Sequence, residues 1–222
     1  MNTLESLIWQ NQRCFILGGG PSLTGFDFNT IKDENTIGIN KAFTVFPDTK
    51  INYSMDLKFY KEIQARKTEE DKKLYNSWTD YKGIKVFLKT SNNFVFDKDI
   101  IVLNKLSQKA ISFDVSKGVY AGSNSGFGAL MLSISLGCKQ IFCLGYDFNV
   151  DTVNKKTHFH SGYRGQTVEN FSRKLERFRG NFEEFASNLK DNNIDIVNLN
   201  PNSALRCFRF DTIENVMLPI LV

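Results

Sequence analysis

The chain of 222 residues is expected to fold as an α/β protein with a mostly parallel sheet and helices on both faces. Short strand-like runs recur at 14–17, 36–39, 51–54, 84–88, 140–144 and 194–199, separated by segments long enough for helical crossovers. Ile141-Phe142-Cys143-Leu144 shows no polar alternation, as expected of a central strand covered on both faces. The first run, Cys14-Phe15-Ile16-Leu17, leads straight into Gly18-Gly19-Gly20-Pro21-Ser22-Leu23, a glycine turn where a first strand should end. This is a Rossmann-like order, and 41% hydrophobic content over this length suits one sizeable core, so residues 1–222 are read as a single domain.

Taken in order, the strand at 14–17 gives way to the glycine turn, and the runs at 36–39 and 51–54 end at Asn40-Lys41-Ala42-Phe43 and Asp56. Residues 58–82 are charged and helical, an exposed excursion or lid. After the run at 84–88, a helix over 125–136 starts small (Gly126, Gly128, Ala129) and continues apolar (Leu130, Met131, Leu132, Ile134, Leu136). The strand at 140–144 ends in Gly145-Tyr146-Asp147. A long helix over 166–190 then places Val168, Phe171, Leu175, Phe178, Phe182, Phe185 and Leu189 on one stripe, read as core.

No stretch has the apolar length of a membrane span, and the polar opening lacks the pattern of a secretory signal. The expectation is a cytoplasmic protein, with the inner face of the membrane open as its station. Cys14, Cys138, Cys143 and Cys207 form no CxxC pair and suit reduced thiols better than disulfides or zinc. The net charge of +4 is mild, but 155–179 concentrates Lys155, Lys156, Arg164, Arg173, Lys174, Arg177 and Arg179, a segment that suits an anionic surface as well as plain solvation. The twenty phenylalanines do not alternate with basic residues as a base-stacking surface requires.

In open α/β sheets ligands bind at the carboxyl ends of the strands. The candidate nucleotide-binding residues there are Gly18, Gly19, Gly20, Pro21, Ser22, Asn40, Asp56 and Asp147. Glycines tolerate positive φ and let a ligand approach the backbone, although the same string also serves as a bare strand-to-helix turn. It is neither a Walker loop nor a dinucleotide fingerprint, since no Gly-Lys-Ser/Thr follows and Leu23 stands where a third glycine belongs. Asn40 offers a donor and an acceptor, and the carboxylates suit ribose hydroxyls or a metal. Ser123-Asn124-Ser125-Gly126 opens the apolar helix, where capping side chains and free N–H groups can hold a phosphate. His158 and His160, the chain's two histidines, share one loop; base catalysis ranks above metal binding because no third ligand is fixed by the spacing.

Together these strings resemble the bacterial lipooligosaccharide sialyltransferases and the wider superfamily of motility-associated flagellin glycosyltransferases. The resemblance covers most of the chain: GGGPSL stands for a GNGPSL-like loop, GINKAF for a CN-Q/K-F-like turn, and SGFGALMLSISLGCKQIFCLGYDF for a helix and strand ending in G-x-DF. THFHSGY stands for the histidine loop, and NPNSAL for a CPNSLL-like string. It implies a GT-A-like glycosyltransferase that needs no metal or cofactor. A CMP-sugar would lie on Gly18 to Ser22 and Asn40, phosphate at Ser125 and Gly126, and His160 or His158 would be the base. Two departures stand out: Gly19 replaces an asparagine, and Asn149 stands where a phosphate-stabilising tyrosine would follow, leaving Tyr163 and Arg164 as substitutes.

The expected function is transfer of a sugar, a CMP-linked sialic-acid-type sugar first, to a hydroxyl acceptor on a glycan, a protein, a lipid headgroup or a nucleic acid. The oligomeric state stays open. The alternatives are magnesium-dependent pyrophosphoryl transfer to a pterin-like alcohol, implied by hydroxymethylpterin diphosphokinase-like relatives with Asp56 and Asp147 as ligands, and a non-catalytic nucleotide-binding accessory protein.

Overall fold

The computed structural model describes all residues except 1–3, 5, 6, 8, 152, 153, 155, 160–166 and 219–222. Eight strands form one parallel sheet: β1 (Arg13–Leu17), β2 (Asn35–Ile39), β3 (Ile51–Ser54), β4 (Ile84–Leu88), β5 (Ile100–Leu103), β6 (Gln140–Leu144), β7 (Asp195–Asn198) and β8 (Arg209–Phe210). Their spatial order is β5-β4-β3-β2-β1-β6-β7-β8. The chain therefore winds outward from β1 to β5, then returns to the other side of β1 and winds outward again to β8. The reversal falls between β1 and β6, the topological switch point where this class of sheet opens a crevice.

The centre is apolar on both faces. Phe15 and Phe142 are register partners on β1 and β6 and their rings stack at 4.8 Å. With Leu17, Leu144 and Val197 they build the core on one face, while Cys14, Ile16, Ile141 and Cys143 build it on the other. The first face carries short 3-10 turns and α5 (Ile213–Met217). The other carries α3 (Ser125–Ser135) and α4 (Val168–Asp191), joined where Phe127 meets Phe182 and Phe185 at 5.2 and 5.1 Å. The small start of α3 has a packing reason, because a Cβ at Gly128 would stand 2.2 Å from the Tyr53 hydroxyl on β3.

Residues 58–82 are not an exposed excursion. They form α1 (Leu57–Gln64) and α2 (Glu69–Asp80), pinned by Phe59, Tyr60, Ile63, Trp78 and Tyr81 against Phe43, Phe87 and Ile100. A capping box between Thr68 and Asp71 starts α2. The stripe along α4 also divides: Phe182, Phe185 and Leu189 are core, Leu175 is buried, and Val168, Phe171 and Phe178 are half-buried. β5 and β8 were not among the expected strands; both lie at the sheet's edges. Cys14, Cys138 and Cys143 are buried free thiols, and Cys207 is half-buried. Among the described residues no helix is long and apolar enough to cross a membrane.

Candidate nucleotide-binding cleft

A cleft of ≈ 700 Å³ opens at the carboxyl edge of the sheet over the switch point. It gathers Gly18, Gly19 and Gly20 from the end of β1, Asn40 from β2, Asp56 from β3, and Gly145 and Tyr146 from β6. Ser123, Asn124, Ser125 and Gly126 enter it from the start of α3, and His158 from the loop after β6. Helices α1 and α4 make its sides. Most of the expected site residues thus share one cavity.

Three of them do not. Pro21, Ser22 and Asp147 lie outside the lining. The Asp147 carboxylate, 3% exposed, accepts from the Ser22 N–H at 2.7 Å, the Ser22 hydroxyl at 2.5 Å and the Asn200 amide at 2.8 Å. The Ser203 hydroxyl donates to the Tyr146 and Asp147 carbonyls at 2.6 and 3.0 Å, and the Ala204 N–H to the Asp147 carbonyl at 2.7 Å. The strings GGGPSL, GYDF and NPNSAL are therefore tied in one knot beneath the cleft, which occupies the carboxylate expected to meet ribose or metal. Among the described residues no three His, Cys, Asp or Glu side chains are grouped as a metal site needs.

The glycine turn also works differently from expectation. Gly18, Gly19 and Gly20 have no positive φ; Gly20 sits at −65°. Their role is close approach: a Cβ at Gly18 would stand 2.6 Å from the Gly145 carbonyl oxygen, and one at Gly20 2.4 Å from Asp147 Cγ. The Gly18 and Gly20 N–H groups donate to the Leu144 and Gly145 carbonyls at 2.7 and 2.9 Å, so they are committed to β6 and not to an anion. Positive φ occurs instead at two non-glycine residues of the lining, Asn40 (52°) and Phe148 (50°). For a bulky phenylalanine this is a strained conformation, held here by ring contacts to Tyr146 and Phe182.

The start of α3 carries the open donors. Asn124 caps the helix, its Oδ1 accepting from the Phe127 N–H at 2.7 Å, while its Nδ2 is buried without a hydrogen-bond partner. The residue is 8% exposed. The Ser125 and Gly126 N–H groups have no partner among the described residues. Ser125 Oγ accepts from the Met55 N–H at 3.3 Å, Ser123 Oγ accepts from Asn181 at 2.9 Å, and the Tyr146 hydroxyl donates to the Gly126 carbonyl at 2.8 Å. Across the cleft, Asn40 Oδ1 is a buried acceptor without a partner. Asp56, by contrast, caps α1 by accepting from the Lys58 N–H at 2.8 Å.

His158 is 9% exposed; its Nδ1 lies 2.9 Å from Thr157 Oγ1 and its ring 4.7 Å from that of Phe171. Burial, with the Lys41 ammonium as a second cause, lowers its pKa to about 4. The imidazole is therefore neutral at neutral pH. The following residue fastens the loop, since the Phe159 N–H donates to the Gly19 carbonyl at 3.1 Å. His160, Tyr163 and Arg164 lie outside the described residues.

Sequence reasoning missed the side walls. Lys41, buried at the end of β2, pairs with Glu62 of α1 at 2.8 Å, and Glu62 lines the cleft with Lys58, Phe59, Lys61 and Ala65. From α4 come Asn170, Phe171, Lys174, Leu175 and Phe178. The signal available was the apolar stripe of α4 continuing past the part that the sheet could cover.

Comparison with family models and with curated proteins gives no match. Among solved structures the chain is similar to the MAf glycosyltransferase from Magnetospirillum magneticum AMB-1, with a TM-score of 0.50 at 12% identity, over 92% of this chain and 34% of that one. This chain thus spans about a third of the length of that protein. At this identity the likeness is one of fold, the α/β, Rossmann-like architecture described above.

Proposed function

We propose that the chain is a nucleotide-sugar-dependent glycosyltransferase, moving a CMP-linked, sialic-acid-type sugar to a hydroxyl acceptor with inversion at the anomeric carbon. The observation that carries this reading is the start of α3. Two uncommitted N–H groups and the unpaired Asn124 amide open on a cleft at the switch point, an arrangement suited to a nucleotide phosphate. Asn40 Oδ1, an acceptor without a partner, suits a base amino group or a ribose hydroxyl. A fold shared with a glycosyltransferase supports the choice of reaction.

In this reaction the acceptor hydroxyl attacks the anomeric carbon as the bond to the phosphate oxygen breaks, and the nucleotide monophosphate leaves. Helix N–H groups stabilise the charge that gathers on the phosphate. The hydroxyl proton passes to a histidine, His158 or His160. His158 lines the cleft in its neutral form, ready to accept a proton, and a donor phosphate beside it raises its basicity. The cytoplasm, where nucleotide donors are made, is the matching location.

The diphosphokinase alternative is weaker here because Asp147 is spent on Ser22 and Asn200 and does not face Asp56 across the cleft. The test is titration calorimetry with CMP, followed by CMP-sialic acid turnover with chelator present. Binding and metal-independent turnover are expected. Asn124→Asp retains a capping oxygen but sets a carboxylate beside the phosphate, so CMP affinity should fall by about tenfold or more with stability nearly unchanged. Magnesium-dependent ATP consumption without CMP binding would replace this reading with pyrophosphoryl transfer, and CMP binding without turnover would leave a nucleotide-binding module.

A further inference from the structure

We infer that the mouth of the cleft, between α1 and α4, binds an acidic sugar residue as the acceptor, its carboxylate taken by Lys61 and Lys174 and its ring faced by Phe171 and Phe178. Naming this ligand the acceptor rests on the glycosyl-transfer reading; the binding site itself does not.

The charge balance of the cleft comes first. Its lining holds Lys58, Lys61 and Lys174 against Asp56 and Glu62, and Glu62 is already matched by Lys41 at 2.8 Å. Four lysines thus stand against two carboxylates. No carboxylate among the described residues pairs with Lys58, Lys61 or Lys174, although the Lys61 ammonium lies 5.9 Å from the Phe94 ring centre. The cleft is left with unneutralised positive charge on two separate walls. These walls stand on opposite faces of the sheet, because α1 packs with Phe43 and Phe87 and α4 packs with the core beneath α3.

Position then separates these lysines from the phosphate site. Hydrogen bonds from Met55 N–H to Ser125 Oγ and from Asn181 to Ser123 Oγ fix the approach to α1 and the middle of α4 against the start of α3. Lys174 lies seven residues before Asn181, or ~10 Å along the helix, and Lys61 five residues beyond the Asp56 cap, or ~7 Å. That separation leaves room for a transferred sugar between a phosphate at α3 and a carboxylate at the lysines. A carboxylate on the donor's own anomeric carbon would sit next to the phosphate instead.

On α4 an aromatic ring stands on each side of Lys174. Phe171 and Phe178 are half-buried and line the cleft, whereas Phe182 and Phe185 further along the same helix are core. Aromatic faces suit the C–H face of a pyranose, and lysines suit a carboxylate on its rim. Arg173 on α4 and Arg206 beyond β7, both exposed and outside the cleft lining, supply an internal control for general basicity, whereas the Arg177 guanidinium lies 5.4 Å from the Phe178 ring centre.

The experiment is titration calorimetry at low salt with a short oligogalacturonate and with its neutral methyl ester, repeated with CMP. The proteins are the wild type, Lys61→Glu/Lys174→Glu and Arg173→Glu/Arg206→Glu. The acid oligomer should bind the wild type and the ester should not. The cleft reversal should cost roughly tenfold or more in acid-oligomer affinity, and the arginine reversal less than about twofold. CMP affinity should stay level throughout. Equal binding of acid and ester, or equal losses in the two double variants, overturns the inference. So does a CMP loss that matches the acid-oligomer loss, which would assign the lysines to the donor. Acid-oligomer binding as expected with no CMP binding in the wild type sinks the donor reading while supporting the anionic site.

Discussion

Asp147→Ala removes the acceptor at the centre of the knot beneath the cleft. Three donors lose their partner: the Ser22 N–H, the Ser22 hydroxyl and the Asn200 amide, at 2.7, 2.5 and 2.8 Å. Hydrogen bonds to a charged group contribute about 1.5–3 kcal/mol each. Ser22 is exposed, so its two donors regain water, whereas Asn200 is half-buried and the carboxylate site itself is closed. The expected loss is therefore about 3–5 kcal/mol, below the simple sum, and a large part of the stability of an ordinary domain. Ser22→Ala alone should cost about 1–2 kcal/mol, and the double variant should show coupling of about 1 kcal/mol or more, because both changes remove the same interaction. Denaturant unfolding reads the stabilities, and CMP calorimetry on the folded fraction reads the ligand. An Asp147→Ala protein with wild-type stability and abolished CMP binding would refute this reasoning, since the carboxylate would then be serving the ligand and not the floor.

Two further outcomes follow from the side chains. The pKa of His158 is lowered from 6.5 to about 4, so protonation favours the unfolded chain: its effect is absent above pH 6.5 and stability is lost as pH falls toward 4, by up to about 3 kcal/mol. His158→Gln should lose less stability than wild type between pH 7 and pH 4.5 in denaturant unfolding, and an equal loss would show that the imidazole is not buried as described. Gly180 lies inside α4 with nothing within 4 Å of an added Cβ, so Gly180→Ala should raise stability by about 1 kcal/mol. A loss in thermal unfolding would mean that the helix does not run continuously through this position.

The parts of the fold legible in sequence were those with a strong local signal. The six inner and near-inner strands are short strand-like runs between turn residues, and their positions match to within a residue at most ends. β8 is two residues long, and β5 is an edge strand with Val102 40% exposed, so neither carries the pattern of a covered strand. Periodicity on α4 reported an apolar face but not what covers it. Sheet and α3 cover one half, and the other half faces the cleft. At 58–82 the charges outnumber the anchors, yet Phe59, Tyr60, Ile63 and Trp78 are large enough to fix both helices. In the site, strand ends identified the right neighbourhood, whereas side-chain direction depended on distant partners. Asp147 points to Ser22, 125 residues earlier, and to Asn200, 53 residues later. Gly20 is small because Asp147 approaches it, a demand that no local turn signal contains.

That knot also separates what the motif resemblance can speak for from what it cannot. GGGPSL, GYDF and NPNSAL are tied to one another through Asp147, Ser22, Asn200 and Ser203, so the strings encode the floor of a cleft at the switch point. A floor of this kind serves any ligand that needs the edge of β1 and β6 brought close together. The groups left open are elsewhere: the Asn124 amide and the first N–H groups of α3, the Asn40 acceptor, and the lysines of α1 and α4. The chemistry that distinguishes one ligand from another must therefore be sought on the walls, and substitutions there should alter ligand choice while substitutions in the knot alter stability.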